Sequence, residues 1–102
     1  MKFIKLASVV FATLLLASHA GAQSYPTKPV SLVVPYPAGG VSDVIARIVS
    51  PSLAKKLGEA VIVENIGGAS GGIAAQKILN SPADGYQILQ GSPNELILAP
   101  LA

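Results

Sequence analysis

Apolar positions beyond residue 23 alternate between short β-branched runs and longer stretches with helical spacing. Val30, Leu32, Val33 and Val34 make a nearly unbroken apolar run of strand length, which predicts a strand buried on both faces. The Tyr25-Pro26-Thr27-Lys28-Pro29 lead-in is extended, because proline pushes the residue before it toward β or polyproline conformation. Pro35-Tyr36-Pro37-Ala38-Gly39-Gly40 then breaks the strand into a loop. Val41, Val44, Ile45, Ile48, Val49, Leu53 and Leu57 recur at helical spacing and define an apolar helix face. Ser42 is the expected N-cap, Asp43 suits the first turn, Lys55 and Lys56 the last, and Gly58 the C′ position. Pro51 falls inside this helix and predicts a kink or a split.

Residues 60–64 read as a second buried strand and residues 65–72 as a glycine-rich loop. Residues 73–79 read as a short helix that packs through Ala74, Ala75, Ile78 and Leu79 and ends at Asn80-Ser81-Pro82. Asp84-Gly85 marks a turn into a third strand over residues 86–90, and Gly91-Ser92-Pro93-Asn94 opens a third helix through Leu98. The order β-α-β-α-β predicts an α/β fold with a parallel sheet and right-handed crossovers. Ligands of open parallel sheets bind at the carboxyl ends of the strands. The loops at that edge are residues 35–43, 65–72 and 91–94, all rich in Gly, Ser or Pro.

The chain has 102 residues and a formal net charge of +2. Lys2 and Lys5 account for that excess; past residue 5, five bases face five acids. This balance leaves no field to steer DNA, RNA or anionic lipid, so no nucleic-acid partner is expected. Lys2 and Lys5 form a short basic head, residues 6–17 are apolar and uncharged, and Ala20-Gly21-Ala22 fits an A-x-A cleavage site. Residues 1–22 are therefore expected to be a signal peptide, with the mature chain starting at Gln23 and not itself spanning a membrane; an uncleaved N-terminal anchor is the alternative. Cysteine is absent, so neither a lipid-anchored cysteine nor a disulfide is available, and the single histidine, His19, lies in the leader. The mature segment has no Cys–His pair, Ser-His-Asp triad or His/Cys zinc site; no catalytic residue, metal or cofactor is expected. The apolar stretch at residues 99–102 suggests a chain cut short, and a domain of about 80 residues is marginal for burying a core.

Gly39 and Gly40 beside a helix start put backbone N–H groups and a positive dipole end at the sheet edge, which suits a carboxylate or a phosphate. A tight strand-to-helix turn explains the same glycines. Gly67-Gly68-Ala69-Ser70-Gly71-Gly72 reads either as a second ligand cradle or as a flexible connector. Ser70 has no base to activate it. No Gly-Lys pair exists for a P-loop, and the spacing after the first strand fails the dinucleotide fingerprint, although Glu64 resembles its ribose-binding acid. Asp43 reads first as a helix stabiliser and second as a ligand contact.

Taken in order, the motifs resemble the tripartite tricarboxylate transporter substrate-binding proteins, the Bug receptors. The residues concerned are Tyr25-Pro26-x-x-Pro29, Val33-Val34-Pro35-Tyr36-Pro37-Ala38-Gly39-Gly40, Asp43, Ala46-Arg47, Leu57-Gly58, Val61-Ile62-Val63-Glu64-Asn65, Gly68-Ala69-Ser70-Gly71-Gly72 and Pro82-x-Asp84-Gly85-Tyr86. Ile66-Gly67 replaces the family's basic-proline step. The resemblance implies the start of a periplasmic-binding-protein type II lobe, with residues 23–102 the N-terminal part of the first of two lobes. It also implies a periplasmic receptor that closes on a small carboxylate and hands it to membrane permease subunits. The implied ligand-binding residues are Pro37, Ala38, Gly39, Gly40, Ser42 and Asp43 after the first strand; Gly68, Ala69, Ser70, Gly71 and Gly72 after the second; and Gly91 and Ser92 after the third. The alternative is the N-terminal piece of an exported α/β enzyme with a nucleotide-like fold.

Overall fold

The computed structural model describes residues 2–5 and 24–101. The apolar run at residues 6–17, the Ala20-Gly21-Ala22 site and the Gln23 start lie outside the described residues.

Strand β1, Val30–Val34, is the centre of a three-stranded sheet in the order β2-β1-β3, with β2 at Val61–Asn65 and β3 at Gln87–Leu89. Both pairings are parallel, with Val30 opposite Val61 and Ser31 opposite Gln87. Val30, Val33 and Val34 are fully buried, as befits the mostly apolar central strand of a parallel sheet, and Ser31 alone is half-buried. β2 and β3 flank it and are only half-buried, less than the sequence pattern suggests for β2. The ladder continues past the strand ends: Ile66 N–H donates to Val34 O at 2.9 Å and Gln90 N–H to Val33 O at 2.9 Å.

Helix α1 is Val41–Leu57. Its N-cap is Gly40, not Ser42, which lies inside the first turn. Gly58 ends it in left-handed conformation, its N–H donating to Ala54 O at 2.9 Å. Pro51 lies inside one continuous helix, so the split alternative does not occur. Its missing N–H frees the Arg47 carbonyl one turn back, and both residues lie on the exposed side, where that carbonyl is accessible to solvent.

The face that α1 turns to the sheet also differs from expectation. Asp43, Ala46 and Ser50 are its buried residues, with Leu53, Ala54 and Leu57 half-buried along the same stripe. Ala46 packs with Leu32 and Val34, and Tyr36, Val61 and Val63 close around that core. Val41, Val44, Ile45 and Ile48 project from the opposite side and are exposed, with Val49 exposed on the flank. Small side chains let the helix lie close on the sheet, so the bulky apolar positions are turned away.

A tight turn, Ala69–Gly71, leads into α2, Gly72–Leu79, which buries Ala74. After β3, a π-helical turn at Asn94–Leu98 runs into a last helical turn, α3, at Ala99–Leu101. The lead-in is clasped to the turn before β3. Tyr25 donates its hydroxyl proton to Gly85 O, its ring meets Tyr86 edge-on at 5.2 Å, and Lys28 Nζ lies 4.5 Å from the centre of the Tyr86 ring. Among the described residues, no helix is long and apolar enough to cross a membrane.

Candidate functional site

Because all strands are parallel, residues 35–40, 66–71 and 90–94 emerge at the same edge of the sheet. A pocket of about 450 Å³ opens there, lined by Tyr36, Pro37, Ala38, Gly40, Val41 and Ser42. Four of these, Pro37, Ala38, Gly40 and Ser42, are sequence-predicted contacts. The pocket sits against the first turn of α1, where the leading N–H groups have no carbonyl partner within the helix and the dipole is positive. Gly40 has an ordinary extended backbone, φ −78°, so its conformation does not require glycine. A Cβ there would stand 3.6 Å from Pro37 O, an ordinary contact. The absence of a side chain at Gly40 keeps the approach to those N–H groups open.

Asp43 ties the loop down. Its Oδ2 accepts from Gly39 N–H at 2.9 Å, its Oδ1 from Arg47 Nε at 3.0 Å and from Asn65 Nδ2 at 3.0 Å. Asn65 Nδ2 also donates to Tyr36 O at 3.2 Å. The end of β2 is thereby joined to the loop after β1. The Gly39 N–H bond, followed by those from Arg47 and Asn65, holds the Asp43 carboxyl below its ordinary range. Asp43 and the Gly39 N–H therefore bond to each other at the base of the loop, and the open wall of the pocket begins at Gly40. Gln90, just past the end of β3, secures the same turn, its Nε2 donating to Ser42 O at 2.9 Å.

The other predicted loops meet at Glu95, which the sequence reading passed over. Glu95 is 4% exposed. It accepts from the Ser92 backbone N–H, from Ser92 Oγ at 2.7 Å and from the Tyr36 hydroxyl at 3.1 Å. Burial alone would raise its pKa, but the Ser92 and Tyr36 donors outweigh that, and its carboxyl is held below the ordinary range. Gly71 packs against it: a Cβ at Gly71 would fall 2.7 Å from Glu95 Oε2. Tyr36 from the first loop, Gly71 from the second and Ser92 from the third thus converge on one carboxylate. Ser92-Pro93-x-Glu95 carries the S-x-x-E capping signature, with the acid reaching back to the Ser92 N–H; that spacing was the signal available in the sequence. Gly91 precedes this turn, and Leu96 Cδ1 would lie 2.4 Å from a Cβ placed on it.

Gly68, Ala69, Ser70 and Gly72 form the turn into α2 and are not among the residues that line the pocket. Ala69 and Ser70 are both held in left-handed backbone, at φ 48° and 51°. Glu64 is paired with Lys77, whose Nζ lies 2.5 Å from Oε1. Among the described residues, no cluster of His, Cys, Asp or Glu could hold a metal.

Residues 45–101 match the model of the family described as "Tripartite tricarboxylate transporter family receptor". Protein BugT of Bordetella pertussis is 37% identical over 101 residues, 99% of this chain and 30% of that protein. Among solved structures, R. palustris Rpa4515 with adipate superposes with a TM-score of 0.66 at 40% identity, covering 69% of this chain and 23% of that one. The periplasmic binding protein BugD superposes with a TM-score of 0.62 at 48% identity, covering 64% and 22%. This chain spans less than a third of the length of the curated relatives it matches. With its parallel strands, its carboxyl-edge loops and a family match over more than half its residues, the chain belongs to the tripartite tricarboxylate transporter receptors of the Bug type.

Proposed function

We propose that this chain supplies one wall of a periplasmic receptor that captures a small carboxylate and delivers it to a tripartite tricarboxylate-type membrane transporter. The pocket at the first turn of α1 carries this reading, because its unpaired N–H groups face an opening that Gly40 leaves clear. Such groups bind anions through charge-assisted hydrogen bonds. Family membership supports the receptor role, and the adipate bound to Rpa4515 supports a carboxylate as cargo.

Calorimetry with a panel of small carboxylates tests it, on the full chain and on a full-length relative whose matching segment is replaced by residues 24–101. Gly40→Val places a branched side chain in the approach and should weaken binding by roughly tenfold or more, since about 1.4 kcal/mol is tenfold. Lys56→Ala, on the exposed last turn of α1, should leave affinity unchanged. Equal affinities in a folded Gly40→Val variant would reduce the loop to a structural turn. A panel in which nothing binds the parent would remove the carboxylate reading.

A further inference from the structure

Residues 36–40 supply most of the pocket lining, and the adjacent Gly39 and Gly40 give that stretch wide backbone freedom. A side chain from outside the loop holds it. Asn65 stands at the end of β2, its backbone paired opposite Val34, and the next N–H, that of Ile66, donates to Val34 O at 2.9 Å. Asn65 Nδ2 donates to Tyr36 O at 3.2 Å, where the loop begins, and to Asp43 Oδ1 at 3.0 Å, where it has passed into α1. An amide nitrogen carries two protons, and both are used. Asn65 Oδ1 accepts from Arg47 Nη2 at 3.4 Å. Asp43 in turn accepts from Gly39 N–H at 2.9 Å. One side chain thus brackets both ends of the loop, and the carboxylate it steadies holds the middle. Arg47 also bonds to Asp43, but from the same helix and with a side chain 57% exposed, so it does not fix the loop to the sheet. Asn65 is not itself among the residues that line the pocket.

We propose that Asn65 is a positioning residue: through Asp43 and the Tyr36 carbonyl it orders the loop of residues 36–40 before a ligand arrives, so that binding does not bear the cost of ordering it. This rests on the carboxylate reading above and deepens it. A merely structural Asn65 would close the end of β2 without setting the loop.

The test combines amide NMR with calorimetry against acetate and adipate, on the full chain and, in parallel, on the full-length relative carrying residues 24–101. The Gly39 amide proton reports the loop, because a bond to a carboxylate moves it downfield, and the Ile66 amide reports the sheet. In Asn65→Leu the Gly39 signal should move upfield while Ile66 stays in place, and affinity should fall by roughly tenfold. Asn65→Asp keeps the size and decides the matter should Asn65→Leu fail to fold. Asp43 and Arg47 face that position, and two carboxyls sharing a site do not both stay ionised as pH falls. Its Gly39 signal should therefore be displaced at about pH 7.5 and return toward the parent's at about pH 5.5, as a protonated carboxyl restores one donor. A Gly39 signal unchanged in the folded variants, or one lost together with that of Ile66, would make Asn65 a structural residue and overturn the proposal. So would a displaced Gly39 signal with undiminished affinity. A parent that binds neither acid overturns the carboxylate reading, while the two amide signals still decide whether Asn65 orders the loop.

Discussion

Asp43 and Glu95 share one physical situation: each is a shielded carboxylate kept ionised by donors that converge on it. A carboxyl whose pKa is lower folded than unfolded adds stability that is complete above the unfolded value and disappears as pH falls through the folded one. The ordinary values are 3.8 for Asp43 and 4.5 for Glu95, so thermal stability should be flat near neutrality and decline as pH drops below about 4.5. Melting curves from about pH 6 down to about pH 3 should show this, and Asp43→Asn or Glu95→Gln should each flatten the acid limb. A limb that keeps its slope in both variants would assign it to other groups. Gly39 and Gly71 separate backbone strain from crowding. Both have φ near +90°, but a Cβ at Gly39 meets nothing within 4 Å, whereas one at Gly71 meets Glu95. Gly39→Ala should cost about 1 kcal/mol. Gly71→Ala should cost distinctly more, because Glu95 cannot swing aside without breaking its bonds to Ser92 and Tyr36. Urea midpoints of the two variants make the comparison, and equal losses would mean Glu95 yields freely.

At the scale of elements, α1 shows where sequence reasoning held and where it failed. Its C-terminal end was legible because Gly58 and the last-turn charges are local signals, whereas its start lies two residues before the one that Ser42 suggests, at a Gly40 cap that carries no side-chain signal. The β1 strand was legible because four apolar residues out of five, three of them β-branched, make a run of strand length that is best buried. The packing face of α1 was not. Counting bulky residues finds Val41, Val44, Ile45 and Ile48, while the contact is made by Ala46 and Ser50, whose value is their small size. The helix is not split at Pro51 because the loss of one hydrogen bond on a solvent-facing side is a local cost that neighbouring turns absorb. The pocket lining was partly visible in Pro37, Ala38, Gly40 and Ser42; the local cap between Ser92 and Glu95 was legible in its spacing, but the contacts of Glu95 with Tyr36 and Gly71 come from distant parts of the chain. Substitution on the two faces of α1 should differ accordingly. Ala46→Leu should overpack the Leu32–Val34 contact and cost about 1–3 kcal/mol. Ile48→Ser should change the stability of the chain by no more than about 0.5 kcal/mol. Helical circular dichroism followed through urea titration should show this order, and its reversal would return the sheet contact to the bulky face.

Across the whole molecule, apolar surface is out of proportion to core. Among the described residues, the fully or nearly buried hydrophobics are Val30, Leu32, Val33, Val34, Ala46 and Ala74, whereas Val41, Ile48, Leu79 and Leu101 are each at least 70% exposed. A helix apolar on both sides is a helix meant to be covered on both. The chain by itself should therefore associate in a concentration-dependent way, seen by sedimentation velocity, and Ile45→Lys with Ile48→Lys should disperse it while helicity is kept. A parent that sediments as a monomer at all concentrations would contradict this.

The central position of β1 has a consequence in time as well as in space. The first strand to leave the ribosome is the one whose neighbours on both sides arrive later, β2 first and β3 only from Gln87 onward. Pairings between residues so far apart in sequence form late and together. A nascent chain that ends before Gln87 has its earliest strand exposed along one edge, and one that ends before Glu95 still lacks the contact that joins the loops. Until Gln87 has emerged, the unpaired edge of β1 is the kind of exposed strand that invites chaperone binding or aggregation.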